Sequence, residues 1–230
     1  MMNKQLFSKS LQYIVHVAGW APLIHIVVGL ITHNLTFNPI QKVEQISGIT
    51  GLVFLLLSLA CTPLSNLLGW RQLTLRRKAL GLYGFMYATI HVATYIAVDY
   101  GFDLNAIVHE VAGKSYFITG GLAFILLLPV AATSFTFMMK KLGKNWKRLH
   151  RLVYIVSPVI VFHYMLVVKG NITSLQGNLL RPLEYAGIAL VLLALRIPPV
   201  KKALISTRMR IQDAIRTSYS VVRTRLIHSS

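Results

Sequence analysis

Five windows of this sequence, residues 10–41, 45–70, 79–98, 115–139 and 152–168, contain no Asp, Glu, Lys or Arg. In hydrocarbon every backbone polar group must be satisfied internally, so apolar runs of about 20 residues are read as membrane-spanning helices. A sixth, weaker candidate runs from about Pro182 to Val200. Its uncharged heart, Tyr185 to Leu195, is short, and it places Glu184 at one interface while Arg196 snorkels to the other. The expected fold is therefore an all-α membrane protein, a bundle of six transmembrane helices. Charged residues make up 13% of the chain, against about 25% in soluble domains. The apolar run after Lys4 and Lys9 lacks a small-residue cleavage site and is read as a retained first helix, not a signal peptide.

The formal charge of +18 would suggest nucleic acid in a soluble protein. Its distribution points elsewhere. With the N-terminus in the cytoplasm, twenty of the twenty-four cations fall on the cytoplasmic side, leaving only Lys42, Lys114, Lys169 and Arg181 outside. Five of the six acids, Glu44, Asp99, Asp103, Glu110 and Glu184, also fall outside. Six helices with both termini cytoplasmic satisfy the positive-inside rule; dropping the sixth would put eight cations on the wrong side. The chain divides into a cytoplasmic N-terminus (1–10), a six-helix domain (11–200) and a basic cytoplasmic tail (201–230). In the tail, Leu204, Ile211, Ile215, Tyr219, Val222 and Leu226 recur at helical spacing between arginines. That pattern fits an amphipathic helix on an anionic leaflet, and a disordered basic tail is the other reading. No internal repeat, Gly-rich nucleotide loop or linker is legible.

Histidines are the remaining anomaly, since an ionisable imidazole inside a bilayer is costly. His91 lies about 13 residues up the third span, and His163 about 13 residues up the fifth, counting both from the cytoplasmic side. Two neutral imidazoles at one depth on two helices meet the demand of a haem iron for two axial ligands. Gly81, Gly84 and Ala88 on the third span would leave room for a macrocycle. His150 sits about 20 Å from His163 along a helix axis, among Lys147, Arg148 and Arg151. It reads either as a ligand of a second, cytoplasmic-side haem or as an interfacial histidine among cations. Arg77 and Lys78 stand where its partner on the third span would be expected, and His16 in the first span is a possible ligand. The single cysteine, Cys61, excludes an internal disulfide and Cys-based metal motifs.

The segments TGLVFLLLSLACTPL (50–64), LRRKALGLYGFMYATIHVATY (75–95) and LGKNWKRLHRLVYIVSPVIVFHY (142–164) resemble the MsrQ (YedZ) family, within the ferric-reductase-like transmembrane group. The resemblance implies a six-helix inner-membrane protein with one or two haems b. It would carry electrons outward from quinol, or from a cytosolic flavin reductase, with FMN as an associated cofactor. The acceptor would be MsrP, a periplasmic molybdenum enzyme that repairs methionine sulfoxide, so this chain needs no catalytic residue of its own. The family's histidines carry over onto His91, His150 and His163. Two other readings stand beside it. One is a haem-containing reductase of ferric iron or oxygen, and the other is a non-redox proton pathway through the same histidines. No acid or base within the spans continues such a relay.

Overall fold

The computed structural model describes residues 4–168 and 179–228. Its first element, α1 (Lys4–Ile31), leads through a short loop to α2 (Pro39–Leu68). The start of α2 is set by Asn38, whose side chain accepts from the backbone N–H of Gln41, followed by Pro39 in the first turn, where a missing N–H costs nothing. Gly69, at φ 75°, closes it in the left-handed conformation. Only Gly69 and Trp70 separate α2 from α3 (Arg71–Ala93). The basic run RQLTLRRK therefore forms the first two turns of α3, since it contains no helix breaker.

A π-helical segment, Thr94–Asp99, continues α3 past His91. A short amphipathic helix, α4 (Leu104–Gly113), occupies the loop to α5 (Ser115–Ala132). The fourth charge-free window continues to Met139, but α5 stops at Ala132. The Thr133 and Ser134 hydroxyls there turn back onto the carbonyls of Pro129 and Val130. Two short helices, α6 (Thr136–Leu142) and α7 (Lys144–Leu149), and a 3₁₀ turn at His150–Leu152 lead into α8 (Val153–Val167). The chain closes with α9 (Leu180–Ala194) and α10 (Pro198–His228), so the tail is helical. Lys169 of the sequence reading lies outside the described residues.

Among the described residues five helical stretches are long and apolar enough to cross a membrane. They are Gln5–Ile31, Pro39–Leu68, Arg71–Asp99, Ser115–Ala132 and Lys144–Val167. The 15 residues of α9 rise only about 22 Å at 1.5 Å per residue. Helices α2, α3, α5 and α8 pack each against the next around a closed ring, with α3 and α8 across one diagonal. Outside the ring, α1 covers α3 and α2, α9 covers α8 and α2, and α10 touches α2. Helix α2 takes part in all three apolar cores: with α1 and α3 through Phe54, Tyr83 and Tyr87, with α5 and α8 through Leu55, Leu127 and Val156, and with α8 and α9 through Leu56, Val161 and Leu192. Large apolar side chains on the outer faces, such as Ile14, Val17 and Ile24 of α1 and Ile125 of α5, stay exposed. That pattern is an error in water and a requirement in lipid.

Two expectations are corrected here. Gly84 and Gly81 do not make room for a macrocycle. A Cβ at Gly84 would lie 2.7 Å from Leu55 Cγ, and one at Gly81 would lie 3.3 Å from Ser58 Oγ. Their space is filled by α2, which approaches closely because both residues lack side chains. Nor does Arg196 snorkel away from the bundle. Its guanidinium turns inward, donating to the Tyr154 hydroxyl (2.7 Å) and to the Leu59 carbonyl, and lies over the Tyr154 ring.

Candidate functional site

The third and fifth long spans bring His91 and His163 together inside the ring of four helices. Their ring centroids are 6.4 Å apart, and the ring planes cross at 73°. Both rings are fixed in the same manner. His91 Nδ1 donates to the Glu44 carbonyl at 2.9 Å, and His163 Nδ1 donates to the Tyr116 carbonyl at 2.7 Å. A carbonyl oxygen only accepts, so each ring carries its proton on Nδ1 and keeps a lone pair on Nε2. Neither Nε2 makes a hydrogen bond among the described residues. A hydrogen bond of this kind behind a ligand histidine fixes its tautomer and raises its basicity.

The two arrangements repeat one another in detail. Each carbonyl lies 47 residues before its histidine, and each is followed four residues later by a glycine facing the ring. A Cβ on Gly48 would come within 3.2 Å of His91 Nδ1, and one on Gly120 would come within 2.7 Å of His163 Cε1. Glu44, Gly48 and His91 thus recur 72 residues later as Tyr116, Gly120 and His163. The α2–α3 and α5–α8 pairs carry the same latch at one constant offset. Sequence reading missed it because likeness at that offset is confined to scattered positions such as Ser47 and Thr119.

These residues fit a metal held between two imidazoles. Metal–imidazole bonds of about 2.0–2.1 Å, with each ring centroid about 1.1 Å behind Nε2, put the two centroids about 6.3 Å apart. The observed separation of 6.4 Å matches that spacing. No group of three or more His, Cys, Asp or Glu with metal-ligand geometry occurs among the described residues. A macrocycle would fill the coordination positions that two histidines leave open.

His150 and His16 are placed elsewhere. His150 sits on the 3₁₀ turn, packed against Trp146 with centroids 4.0 Å apart and the ring planes tilted by 33°. Its Nδ1 donates to the Trp146 carbonyl at 3.1 Å, and its Nε2 lies 3.5 Å from Ser134 Oγ. Trp146 is anchored in turn by its indole N–H on the Thr133 carbonyl (2.9 Å). His16 shares a hydrogen bond of 2.9 Å with the Tyr83 hydroxyl of α3. The sequence places Lys78 72 residues before His150, so the duplication supplies a cation where a second histidine would stand. Lys147, Arg148 and Arg151 are exposed around His150.

Residues 47–161 match the family model described as ferric reductase like transmembrane component, which spans α2 to α8. A protein-methionine-sulfoxide reductase heme-binding subunit MsrQ from Rhodospirillum rubrum is 40% identical over 186 residues, 80% of this chain and 86% of that protein. The chain belongs to the MsrQ family. MsrQ proteins of the same description from Ralstonia nicotianae (35% identical; 86% of this chain, 90% of that protein) and Herminiimonas arsenicoxydans (35%; 79% and 81%) extend the likeness. No solved structure matches the chain. The MsrQ membership and the apolar spans make this a multi-pass bacterial membrane protein; Gly48, His91, Tyr116 and Gly120 of the latch fall inside the matched segment, and Glu44 and His163 lie within three residues of its ends.

Proposed function

We propose that this MsrQ-family chain is the membrane electron conduit of a methionine-sulfoxide reductase system, with His91 and His163 as the axial ligands of a haem b. The observation that carries the reading is the pair of Nδ1-latched imidazoles 6.4 Å apart across the bundle. A bound haem would supply reversible one-electron chemistry on its iron. The chain's own contribution is to present two neutral Nε2 lone pairs in a fixed orientation and to keep water out with the four surrounding helices. Backbone carbonyls behind both rings strengthen them as donors and favour the oxidised metal.

In this reading α9 is a sixth span and both termini are cytoplasmic, which puts the His91–His163 site in the periplasmic half. Electrons would enter from quinol, or from a cytosolic flavin reductase with FMN, on the His150 side. They would leave to a periplasmic acceptor, the molybdenum enzyme MsrP. The ferric-reductase description of the matched family model favours a second acceptor, ferric iron, which mixing of the reduced protein with each acceptor distinguishes. Purified protein should give a reducible b-type spectrum that His91→Ala and His163→Ala abolish; a colourless preparation made with ample haem overturns the reading. A second haem on His150, with His16 as its other candidate ligand, is a further part of the proposal. It requires two haems per chain by pyridine haemochrome, falling to one in His150→Ala. A single haem that is insensitive to His150→Ala rejects that part alone.

A further inference from the structure

A haem ligand must bind, but its ring must also face in some direction, and this chain fixes that direction from outside the ring. Rotation of His91 about its side-chain bonds is opposed by the hydrogen bond to the Glu44 carbonyl and by the main chain at Gly48. His163 is held likewise between the Tyr116 carbonyl and Gly120. The two rings end up at 73° to each other, although each uses the same kind of latch. They come from diagonally opposite helices and meet edge to face, each ring held from behind by its own latch.

We infer that Gly48 and Gly120 are positioning residues that, with the carbonyls of Glu44 and Tyr116, hold the His91 and His163 planes crossed near a right angle and so set the electronic symmetry of the haem iron. This rests on the assignment of the two histidines as its ligands. An axial imidazole donates π density into the iron d-orbital perpendicular to its own plane. Parallel planes load one orbital of a pair and split it; crossed planes load both and leave the pair nearly degenerate. A nearly degenerate pair makes low-spin ferric iron strongly anisotropic. In frozen-solution electron paramagnetic resonance the expected signal is a single prominent low-field feature in place of the three-line rhombic spectrum of parallel imidazoles.

Glycine substitutions grade the test. A Cβ at Gly120 would collide with the His163 ring at 2.7 Å, one at Gly48 would press on the His91 ring at 3.2–3.3 Å, and one at Gly121 would meet nothing within 4 Å. The full-length, haem-loaded protein should show the low-field feature. Gly121→Ala should leave it unchanged, Gly48→Ala should shift it toward the rhombic pattern, and Gly120→Ala should shift it further. Where Gly120→Ala does not yield folded protein, the milder Gly48→Ala decides. A parent with the rhombic spectrum overturns the inference while leaving the ligand assignment intact. So does a parental spectrum retained in both Gly48→Ala and Gly120→Ala, or an equal shift in Gly121→Ala. A parent that binds no haem removes the ligand assignment and this inference together.

Discussion

The Tyr87 hydroxyl stands inside the hydrogen-bond ladder of α1, donating to the Gly19 carbonyl at 2.7 Å and accepting from the Leu23 N–H at 2.9 Å. Gly19 and Leu23 are four apart, so they would bond each other in an uninterrupted helix. Pro22 lies within the same turn, and a phenol from α3 takes up the groups left open there. Tyr83, one turn earlier on α3, adds the hydrogen bond to His16. Two tyrosines thus fasten the first span to the hairpin that carries His91.

Tyr87→Phe should loosen α1 without touching the histidine pair. It leaves a buried carbonyl and N–H to find one another or remain unpaired, a cost of about 1–3 kcal/mol. Thermal unfolding in detergent should show the loss, with the b-type spectrum of the folded fraction unchanged.

His163→Gly opens a space bounded by the Tyr116 carbonyl, which still accepts a hydrogen bond. Exogenous imidazole should occupy it with one nitrogen on that carbonyl and the other free, the arrangement the native ring has. The bis-imidazole visible spectrum should return as imidazole is titrated in, and failure to return would count against His163 as an axial ligand.

Arg196→Lys should be nearly as damaging as Arg196→Ala. The guanidinium joins α9 to Tyr154 of α8 and to the Leu59 carbonyl of α2, and it stacks on the Tyr154 ring. An ammonium has no planar fork with which to do all three. The expected loss is about 2–3 kcal/mol for charged hydrogen bonds broken in a half-buried setting, measured by thermal or denaturant unfolding, and limited proteolysis should attack near α9 first.

Gly84→Ala is expected to destabilise the α2–α3 hairpin. Its Cβ would meet the Leu55 backbone nitrogen at 3.1 Å as well as its side chain at 2.7 Å, so a rotamer change alone cannot relieve it. Overpacking of this kind costs about 1–3 kcal/mol. Gly121→Ala, with open space around it, serves as the unaffected control in the same melting assay.

Five of the spans and the meeting of His91 with His163 were legible because apolar length and depth along a helix are one-dimensional properties, readable along the chain. What escaped was lateral. Whether Gly84 faces a macrocycle or Leu55, and whether Arg196 reaches outward or under Tyr154, depends on rotation about helix axes and on which neighbour arrives. The latch carbonyls were invisible for a different reason: a backbone oxygen leaves no mark on the residue that bears it.

That last point has a consequence for how such a site drifts over time. Glu44 and Tyr116 fill equivalent places, yet one is an acid and the other an aromatic, because only their main-chain oxygens are used. A ligand orientation written in backbone leaves the side chains at both places open to selection for other tasks. Tyr116 contributes its ring to a cluster with Phe117 and, through it, Tyr95 and Tyr100. Relatives are expected to differ at these two positions while glycine persists one turn further on, at the places where a side chain would meet the ring.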